Sequence, residues 1–432
     1  MGAVEARPLE APAQAAIAAP GLVPPSQAEA VRIGFLAPLS GPSAGLGRAL
    51  LDAAEMALFD LKDERLLLLP RDTEGQPEAA ARAARDLLTE GVDILIGPLF
   101  SASVAAVTPL ARERGVKVLS FSTDRNVAGS GTYVLGFTPD QQVERVLAYG
   151  RSRGYVRYAL LAPNSPYGEA VAQTAGNALT GSLAVQERYP ADSPDLTPSV
   201  RRFAAALRAL PPRQGSAEDV AARPTIAGAL GNQGGQAGAQ QAQAQAQAGA
   251  QAATSGSETA LHPPVDAILL PEGGARLRAL APLLPYFDID PRQIRLIGTG
   301  LWDDPALGNE PALQGGWFAA PQPEGFEEFR KRFEQSFGRR PPRLASLAYD
   351  ATALAGVLAR QPVPAAAEAS ASAGRPFADA ALNNPDGFAG YDGIFRFRPD
   401  GIVERGLAIL EIQRRGMRVI DPAPAGFNPP VN

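Results

Sequence analysis

The chain has 432 residues, 45% of them hydrophobic, and a formal net charge of −5. This length predicts two domains, because a single ordinary hydrophobic core does not grow to that size. The negative charge argues against a nucleic-acid partner, since proteins of that class carry clustered positive charge. The chain has no cysteine, which excludes disulfides, thiol nucleophiles and cysteine metal ligands. No apolar run has the length of a membrane span.

The first segment of the chain, residues 1–30, is rich in proline and alanine. It has no positively charged start followed by an apolar stretch, so it does not have the pattern of a signal peptide. We interpret residues 1–30 as a flexible tether.

From residue 31 onward, apolar strand-like runs alternate with helix-period segments. The runs are at 31–37, 66–69, 92–97, 116–121, 133–137, 158–162, 265–270 and 294–298. The helical segments between them include 46–61, 78–89, 104–114, 141–153 and 167–179. Continuous apolar strands alternating with amphipathic helices are typical of parallel sheets that are covered on both faces. The predicted fold class is therefore α/β, with doubly wound parallel sheets.

Residues 211–264 interrupt this pattern with a segment of glycine, glutamine and alanine. Such a composition has too little apolar surface to offset the entropy of ordering, so we expect a disordered insertion within a domain. The only histidine, His262, lies at its end beside two prolines. We interpret His262 as a loop residue, and the chain therefore has no residues for a histidine-based triad or a zinc site with several histidines.

The last block, GIFRFRPDGIVERGLAILEI, alternates apolar and polar residues around a Pro-Asp-Gly turn. This pattern predicts a β-hairpin. A hairpin at the end of an α/β chain suggests a strand that returns to complete an earlier sheet.

The segment 91–124 holds the clearest candidate site. Its two apolar strands are each followed by a serine-bearing loop, the first at Ser101 and the second at Ser122, Thr123 and Asp124. Neighbouring parallel strands end at the same edge of a sheet, where ligands bind, so the two loops should meet there. Hydroxyl groups and free amides at this edge suit a small polar ligand, and Asp124 is a candidate partner for a cation. Ser101 and Ser103 also precede an apolar helix whose free amides they could cap, and this structural role is compatible with ligand binding.

Three later strand ends supply further candidates. Tyr167 lies in NSPYGEA, Glu272 in PEGG and Trp302 in GTGLWDD. Tyr167 either closes over a ligand or packs in its turn, and Trp302 either lines a cleft or is buried. The glycine-rich segment 39–50 lacks the spacing of a phosphate-binding or dinucleotide-binding loop, so a tight strand-to-helix turn is favoured over nucleotide binding.

No constellation of residues indicates catalysis. Carboxylates are plentiful, but none is paired in sequence with a histidine, a lysine or a metal-ligand spacing that would define a mechanism. We therefore predict a protein that is not an enzyme and that has no cofactor and no metal ion.

The order of these motifs resembles the type 1 periplasmic solute-binding fold, and in particular leucine/isoleucine/valine receptors. The resemblance covers about residues 31–420 apart from the insertion, and it is carried by five segments in order. These are PLSGPSAGLG, PRDTEGQPEAAARAARDLL, GVDILIGPLFSASV, GVKVLSFSTD and APNSPYGEAV.

The resemblance implies two α/β lobes, joined by three crossings around a ligand cleft. Lobe 1 would comprise residues 31–138 and 298–388. Lobe 2 would comprise residues 139–297, completed by a C-terminal hairpin within 389–432. The crossings would lie near Phe137–Pro139, Gly298–Gly300 and Phe388–Phe397.

The resemblance also implies ligand-binding roles. Ser101 matches the serine of the family's first loop, Ser122 and Asp124 match its second loop, and Tyr167 matches its second-lobe tyrosine. Leu46 stands where those receptors often have an aromatic residue. Their acidic ligand for an ammonium group has no clear counterpart, and Glu272 is a substitute candidate.

A narrower resemblance is to penicillin-binding protein activators, which are lipoproteins that stimulate peptidoglycan synthases. It is carried by DAILLPEGGARLRALAPLLPYFDID, RLIGTGLWDD, GGWFAAP, LAYDATALAGVLAR and GFAGYDGIFRFRPDGIVERGLAILEI. It implies an envelope regulator in the periplasm that contacts a peptidoglycan synthase and is tethered by a lipid anchor outside this sequence. The alternative is a receptor that delivers an amino acid or a related solute to an ABC permease.

Overall fold

A computed structural model of the protein describes residues 30–211, 263–361 and 377–427. The predicted tether and insertion lie outside the described residues apart from their end residues, and so does His262. None of the helices in the described ranges is both long and apolar enough to span a membrane.

Lobe 1 is built on a five-stranded parallel sheet with strand order β2-β1-β3-β4-β5. Its first elements are β1 (Val31–Ala37), α1 (Ala44–Leu61), β2 (Leu66–Asp72), α2 (Pro77–Thr89), β3 (Ile94–Ile96), α3 (Ser101–Glu113), β4 (Lys117–Ser120) and β5 (Thr132–Val134). The central strands have buried residues on both faces because helices cover the sheet from two sides.

Lobe 2 is built on a seven-stranded sheet with order β15-β14-β10-β9-β8-β6-β7. Its elements are α4 (Pro139–Ser152), β6 (Tyr158–Asn164), α5 (Pro166–Ala178), β7 (Leu183–Pro190), α6 (Thr197–Arg208), β8 (Ala267–Leu269), α7 (Gly274–Leu280), α8 (Leu283–Tyr286), β9 (Arg295–Gly298), β10 (Trp317–Ala320), β14 (Ala408–Gln413) and β15 (Gly416–Asp421). Strands β14 and β15 pair antiparallel, and the other five are parallel.

The chain returns to lobe 1 between β10 and β14. This return comprises α9 (Pro323–Phe337), α10 (Ala345–Ala359), α11 (Asp379–Leu382), β11 (Phe388–Gly390), β12 (Gly393–Phe397) and β13 (Val403–Arg405). Strands β11 to β13 form a small antiparallel sheet, and its Phe395, Phe397 and Val403 are part of the lobe 1 core.

The predicted fold class, α/β with doubly wound parallel sheets, is confirmed. Two of the sequence-based crossings differ from the structure, in which the chain passes between lobes at 135–138, 321–322 and 406–407. The second does not fall at Gly298–Gly300, because Trp317–Ala320 pairs with β9 and extends the lobe 2 sheet. The third does not fall at Phe388–Phe397, because the hairpin of β12 and β13 packs into lobe 1. The hairpin that completes lobe 2 is β14–β15.

Candidate functional site

The two serine loops of lobe 1 are neighbours at the carboxyl edge of its sheet. The loop after β3 and the loop after β4 are joined because Phe121 N donates to Pro98 O at 3.1 Å and Ser120 Oγ donates to the same oxygen at 3.2 Å. The crossing at 135–138 begins at the carboxyl end of β5, and the crossing at 321–322 begins at the carboxyl end of β10. The carboxyl edges of both sheets are therefore the edges next to the junction between the lobes.

Ser101 is the first residue of α3 and is half-buried. The residue at the cap position is Phe100, and its side chain makes no capping hydrogen bond. Ser103 is buried within the first turn, and its Oγ has no hydrogen-bond partner in the described residues. The interpretation of Ser101 and Ser103 as helix caps is therefore wrong, because α3 already includes both serines and Phe100 holds the cap position.

The second loop is held by its own side chains. Ser122 is buried, and its Oγ accepts a hydrogen bond from Asp124 N at 3.1 Å. Asp124 Oδ1 accepts from Asn126 N at 3.0 Å and so caps a short 3-10 helix at Arg125–Val127. Thr123 between them is exposed. Asp124 thus shapes this loop through its carboxylate, and Thr123 is an exposed side chain next to the buried Ser122.

The glycine-rich turn after β1 is explained by packing. Gly47 lies against the preceding chain so closely that a Cβ atom there would lie 1.9 Å from Pro38 O. Asp72, at the end of β2, accepts from Leu39 N at 2.8 Å and from Glu74 N at 2.7 Å. Leu46 packs partly buried against the lobe 1 core. Leu46 therefore contributes to the hydrophobic packing of lobe 1.

An aromatic residue that the sequence analysis did not single out lies at this edge. Phe100 is 38% exposed, although it lies directly before α3. Its ring lies beside Gly75, where a Cβ atom would be 3.3 Å from it. On lobe 2, Leu301 is likewise 42% exposed and lies three residues after the end of β9, in a short 3-10 helix. The available signal for Phe100 was its place between the Gly-Pro of the strand end and the helix start.

In lobe 2 the structure links Tyr167 to the end of β9. The Tyr167 hydroxyl hydrogen-bonds Thr299 Oγ1 at 2.8 Å, and Thr299 is fully buried. Burial raises the pKa of Tyr167 to about 12, so the phenol stays neutral at physiological pH. The next residue, Gly168, has no room for a side chain, because a Cβ atom there would lie 2.1 Å from Pro163 O.

The carboxylate of Glu272 is bound by two other side chains of lobe 2. Its Oε2 accepts from the Tyr189 hydroxyl at 2.8 Å and from Arg276 Nε at 3.4 Å. Burial and the adjacent Glu272 carboxylate raise the pKa of Tyr189. Because Glu272 already has a cation and a hydroxyl as partners, it is not a free acid for a ligand's ammonium group.

Trp302 belongs to the lobe 2 core and does not line a cleft. Its side chain is fully buried, and Nε1 donates to Leu270 O at 3.2 Å. The ring fills the space left by Gly298, where a Cβ atom would lie 2.2 Å from it. Of the two alternatives that the sequence left open for Trp302, the buried one is correct.

Substituting Tyr167 by phenylalanine is expected to lower the free energy of unfolding by about 1 kcal/mol, since it leaves the buried Thr299 hydroxyl without its partner. Urea denaturation measures this cost, with Tyr286→Phe, at a 74% exposed tyrosine, as the control. Unchanged stability combined with weaker ligand binding would show that the Tyr167 hydroxyl serves a ligand instead.

A separate cavity of about 510 Å³ lies at the opposite edge of the lobe 1 sheet. Lys117 and Tyr133, near the starts of β4 and β5, contribute to its wall. Both bind Asp379 Oδ1 at 2.6 Å. This cavity is not part of the edge that the serine loops occupy.

The sequence of the chain is similar to periplasmic binding proteins. Residues 30–209, less than half of the chain, match the family described as periplasmic binding protein. The uncharacterized protein RP748 of Rickettsia prowazekii is 27% identical over 169 residues, which are 38% of this chain and 44% of that protein. The Leu/Ile/Val-binding protein BraC3 of Rhizobium johnstonii is 27% identical over 96 residues, 21% of this chain and 26% of that protein. The chain thus matches less than half the length of these curated relatives.

A solved neighbour covers nearly the whole described fold. It is a solute binding protein of an ABC transporter from Rhodopseudomonas palustris BisB5, in complex with 3,4-dihydroxy benzoic acid. Its TM-score is 0.59 at 16% identity, over 91% of this chain and 97% of that chain. A similarity of this kind establishes the fold, which is that of a type 1 periplasmic binding protein.

Proposed function

We propose that this protein is a solute-binding protein whose interlobe cleft takes a small carboxylate with an apolar body. The observation that carries the proposal is the pairing of an exposed aromatic ring, Phe100, with the start of α3 at the carboxyl edge of the lobe 1 sheet. Ligand pockets are lined mainly by apolar and aromatic side chains with a few polar groups, and at this edge Phe100 lies beside the free amides of a helix start.

The carboxylate would be bound by the first turn of α3. The N–H groups at a helix N-terminus carry partial positive charge and have no partners within the helix, so they bind anions. Ser101 adds a half-buried hydroxyl at this point, and Thr123 adds an exposed one from the adjacent loop. Ser122 and Asp124 would act indirectly, by holding Thr123 in place.

The apolar body of the ligand would lie between Phe100 of lobe 1 and Leu301 of lobe 2, both of which are exposed. Tyr167 would bound the cleft on the lobe 2 side while its hydroxyl remains on Thr299. An amino acid is disfavoured because Glu272 is already bound by Tyr189 and Arg276. A solved neighbour that holds a dihydroxybenzoic acid supports a ligand of this kind.

The proposed protein works outside the cytoplasm with an ABC permease and is not an enzyme. A second candidate keeps the fold but makes the protein a regulator of the penicillin-binding protein activator type, in which a peptidoglycan synthase is the partner. The hydrogen bond from the Tyr189 hydroxyl to Glu272 favours this candidate over an amino-acid receptor, because the carboxylate is already bound within the protein. A lipid anchor belongs to this second candidate and has no support beyond the sequence resemblance.

A ligand screen tests the first candidate. Benzoate, 4-hydroxybenzoate, 3,4-dihydroxybenzoate and leucine are added to the protein, and thermal unfolding is followed. At least one benzoate should raise the melting temperature by several degrees, because binding to the native state alone stabilises it. Leucine should give no shift.

Phe100→Ala should weaken binding of that benzoate about tenfold, which corresponds to one lost apolar contact of about 1–2 kcal/mol. The matched control is Phe59→Ala, because Phe59 is a 78% exposed phenylalanine near the carboxyl end of α1, outside the proposed site. Equal losses in both variants, or no shift with any carboxylate, would contradict the proposal. Capture of a peptidoglycan synthase by a protein that binds no carboxylate would favour the second candidate.

A further inference from the structure

The junction between the lobes contains a cluster of charged side chains. Arg343 lies in the segment between α9 and α10 of lobe 1, two residues before the helix that forms much of the lobe 1 core. Asp392 lies between β11 and β12 of the same lobe. Asp303 belongs to lobe 2, because it directly follows Trp302 in that lobe's core.

Arg343 binds an aspartate from each lobe through a different nitrogen. Its Nε donates to Asp303 Oδ2 at 3.0 Å, and its Nη1 donates to Asp392 Oδ1 at 2.6 Å. The second oxygen of Asp392 accepts from Ser346 Oγ at 2.8 Å. One guanidinium group thus joins lobe 1 to lobe 2.

The surroundings of the guanidinium group hold it in place. It lies 4.4 Å from the ring centre of Phe326 and 5.0 Å from that of Phe137, which is in the first crossing. Asp392 is fully buried, whereas the side chains of Arg343 and Asp303 are 22% and 20% exposed. Ion pairs shielded from water in this way are less screened than surface pairs.

Two further charges face the same cluster. The guanidinium group of Arg405, the residue before the third crossing, lies 4.9 Å from the ring centre of Phe137, and its Nη2 donates to Leu135 O at 2.7 Å. Asp350 of α10 accepts from Tyr391 N at 2.9 Å and from Asp392 N at 3.4 Å. The first crossing, the residue before the third crossing and both lobes therefore contribute to Arg343 or to its immediate neighbours.

We propose that Arg343, Asp303 and Asp392 form an interlobe brace, which holds the lobes in the arrangement described here and sets how readily the cleft changes its opening. The bond from Arg343 to Asp303 is the part that crosses between lobes. The bond to the buried Asp392 anchors the arginine in lobe 1. The effect on ligand affinity rests on the proposed solute-binding function, whereas the effect on lobe arrangement does not.

The test measures the distance between the lobes with no ligand present. Because the chain has no cysteine, Ala105→Cys on α3 and Gln173→Cys on α5 provide two unique sites for spin labels, and both positions are exposed. Double electron–electron resonance then gives the distribution of interlobe distances. Asp303→Asn removes the interlobe ion pair and leaves Arg343 on Asp392.

Asp304→Asn is the matched control. Asp304 is the next residue, and its carboxylate pairs with Arg278 at 3.5 Å and accepts from Ala306 N at 2.9 Å, so its contacts stay within lobe 2. Asp303→Asn should shift the ratio of the distance populations about two- to fivefold, the effect of one partly shielded ion pair. Asp304→Asn should keep the parent distribution.

Arg343→Lys provides a second variant, because a single ammonium group does not replace two separate guanidinium nitrogens. It retains a positive charge for Asp392 and should shift the populations in the same direction as Asp303→Asn. Identical distributions for the parent and both brace variants would overturn the proposal. If the distributions shift but no carboxylate binds, the brace stands and the proposed solute-binding function fails.

Discussion

Replacing Trp302 by alanine is expected to lower the free energy of unfolding of lobe 2 by about 3–5 kcal/mol. The indole is fully buried, and its Nε1 hydrogen bond to Leu270 O joins the end of β8 to the turn after β9. The ring lies against Gly298 and Gly316, since a Cβ atom would lie 2.2 Å from it at the first and 2.7 Å from it at the second. Truncation therefore creates a cavity and leaves a carbonyl group without its partner.

Urea denaturation followed by the fluorescence of Trp317 measures this loss. Trp317 is the second tryptophan of the chain, and it is buried in lobe 2. Leu301→Ala is the control, because this neighbouring side chain is 42% exposed and its loss should cost less than about 1 kcal/mol. A Trp302→Ala protein with parental stability and impaired ligand binding would show that Trp302 acts in the cleft.

Between pH 5 and pH 8 the free energy of unfolding is expected to fall, and Asp350→Asn is expected to remove about 2–3 kcal/mol of that fall. Burial, and then the adjacent Asp392, raise the pKa of Asp350 to about 7 from its ordinary value of 3.8. The arrangement of charge agrees with this direction. Three carboxylates lie at the junction, Asp303, Asp350 and Asp392, and the cations that the described residues place beside them are Arg343 and Arg405.

The direction of this pH dependence follows from how many protons the folded and unfolded states bind. The unfolded chain loses the Asp350 proton near pH 4, whereas the folded protein keeps it until about pH 7. Between these values the folded state holds one more proton, so a rise in pH favours unfolding. Asparagine resembles the protonated acid and retains an oxygen for Tyr391 N.

Denaturant titrations of both proteins at several pH values measure the effect. Asp290→Asn is the control. Arg292 is the main cause of the lowered pKa of Asp290, so this carboxylate changes the pH dependence of stability only below about pH 4. The control should keep the parental slope between pH 5 and pH 8. An unchanged slope in Asp350→Asn would mean that Asp350 is ionised in the folded protein at neutral pH.

Much of lobe 1 could be predicted from the sequence. The run at 31–37 coincides with β1, and the other seven predicted runs each contain or overlap a strand. Most of these strands are buried on both faces, so nearly every residue is apolar and the signal is strong; β2, an edge strand, is recognised by its run of four leucines although only Leu66 is buried. Strands β7, β10, β11 and β15 were missed. The residues of β7 are mostly only partly buried, and β10 has four residues between a glycine pair and a proline.

The candidate site was less predictable because partners distant in sequence decide the role of each side chain. Glu272 was a candidate acid by its position after β8, but Tyr189 and Arg276 occupy it. Trp302 had two open alternatives until the glycines around it showed a core position. Phe100 was not singled out, because its place between a strand end and a helix start does not by itself show whether the ring is exposed or buried.

The sequence by itself determined the alternation of strands and helices, the α/β class and the two serine loops at one sheet edge, because these depend on local periodicity and on the rule that parallel strands end together. Only the tertiary structure decided where the chain crosses between lobes and which charges meet there. Arg343 and Asp303 are 40 residues apart in sequence, and Asp392 is 49 residues beyond Arg343. No local pattern encodes such a contact, because burial and pairing arise only when the two lobes pack together.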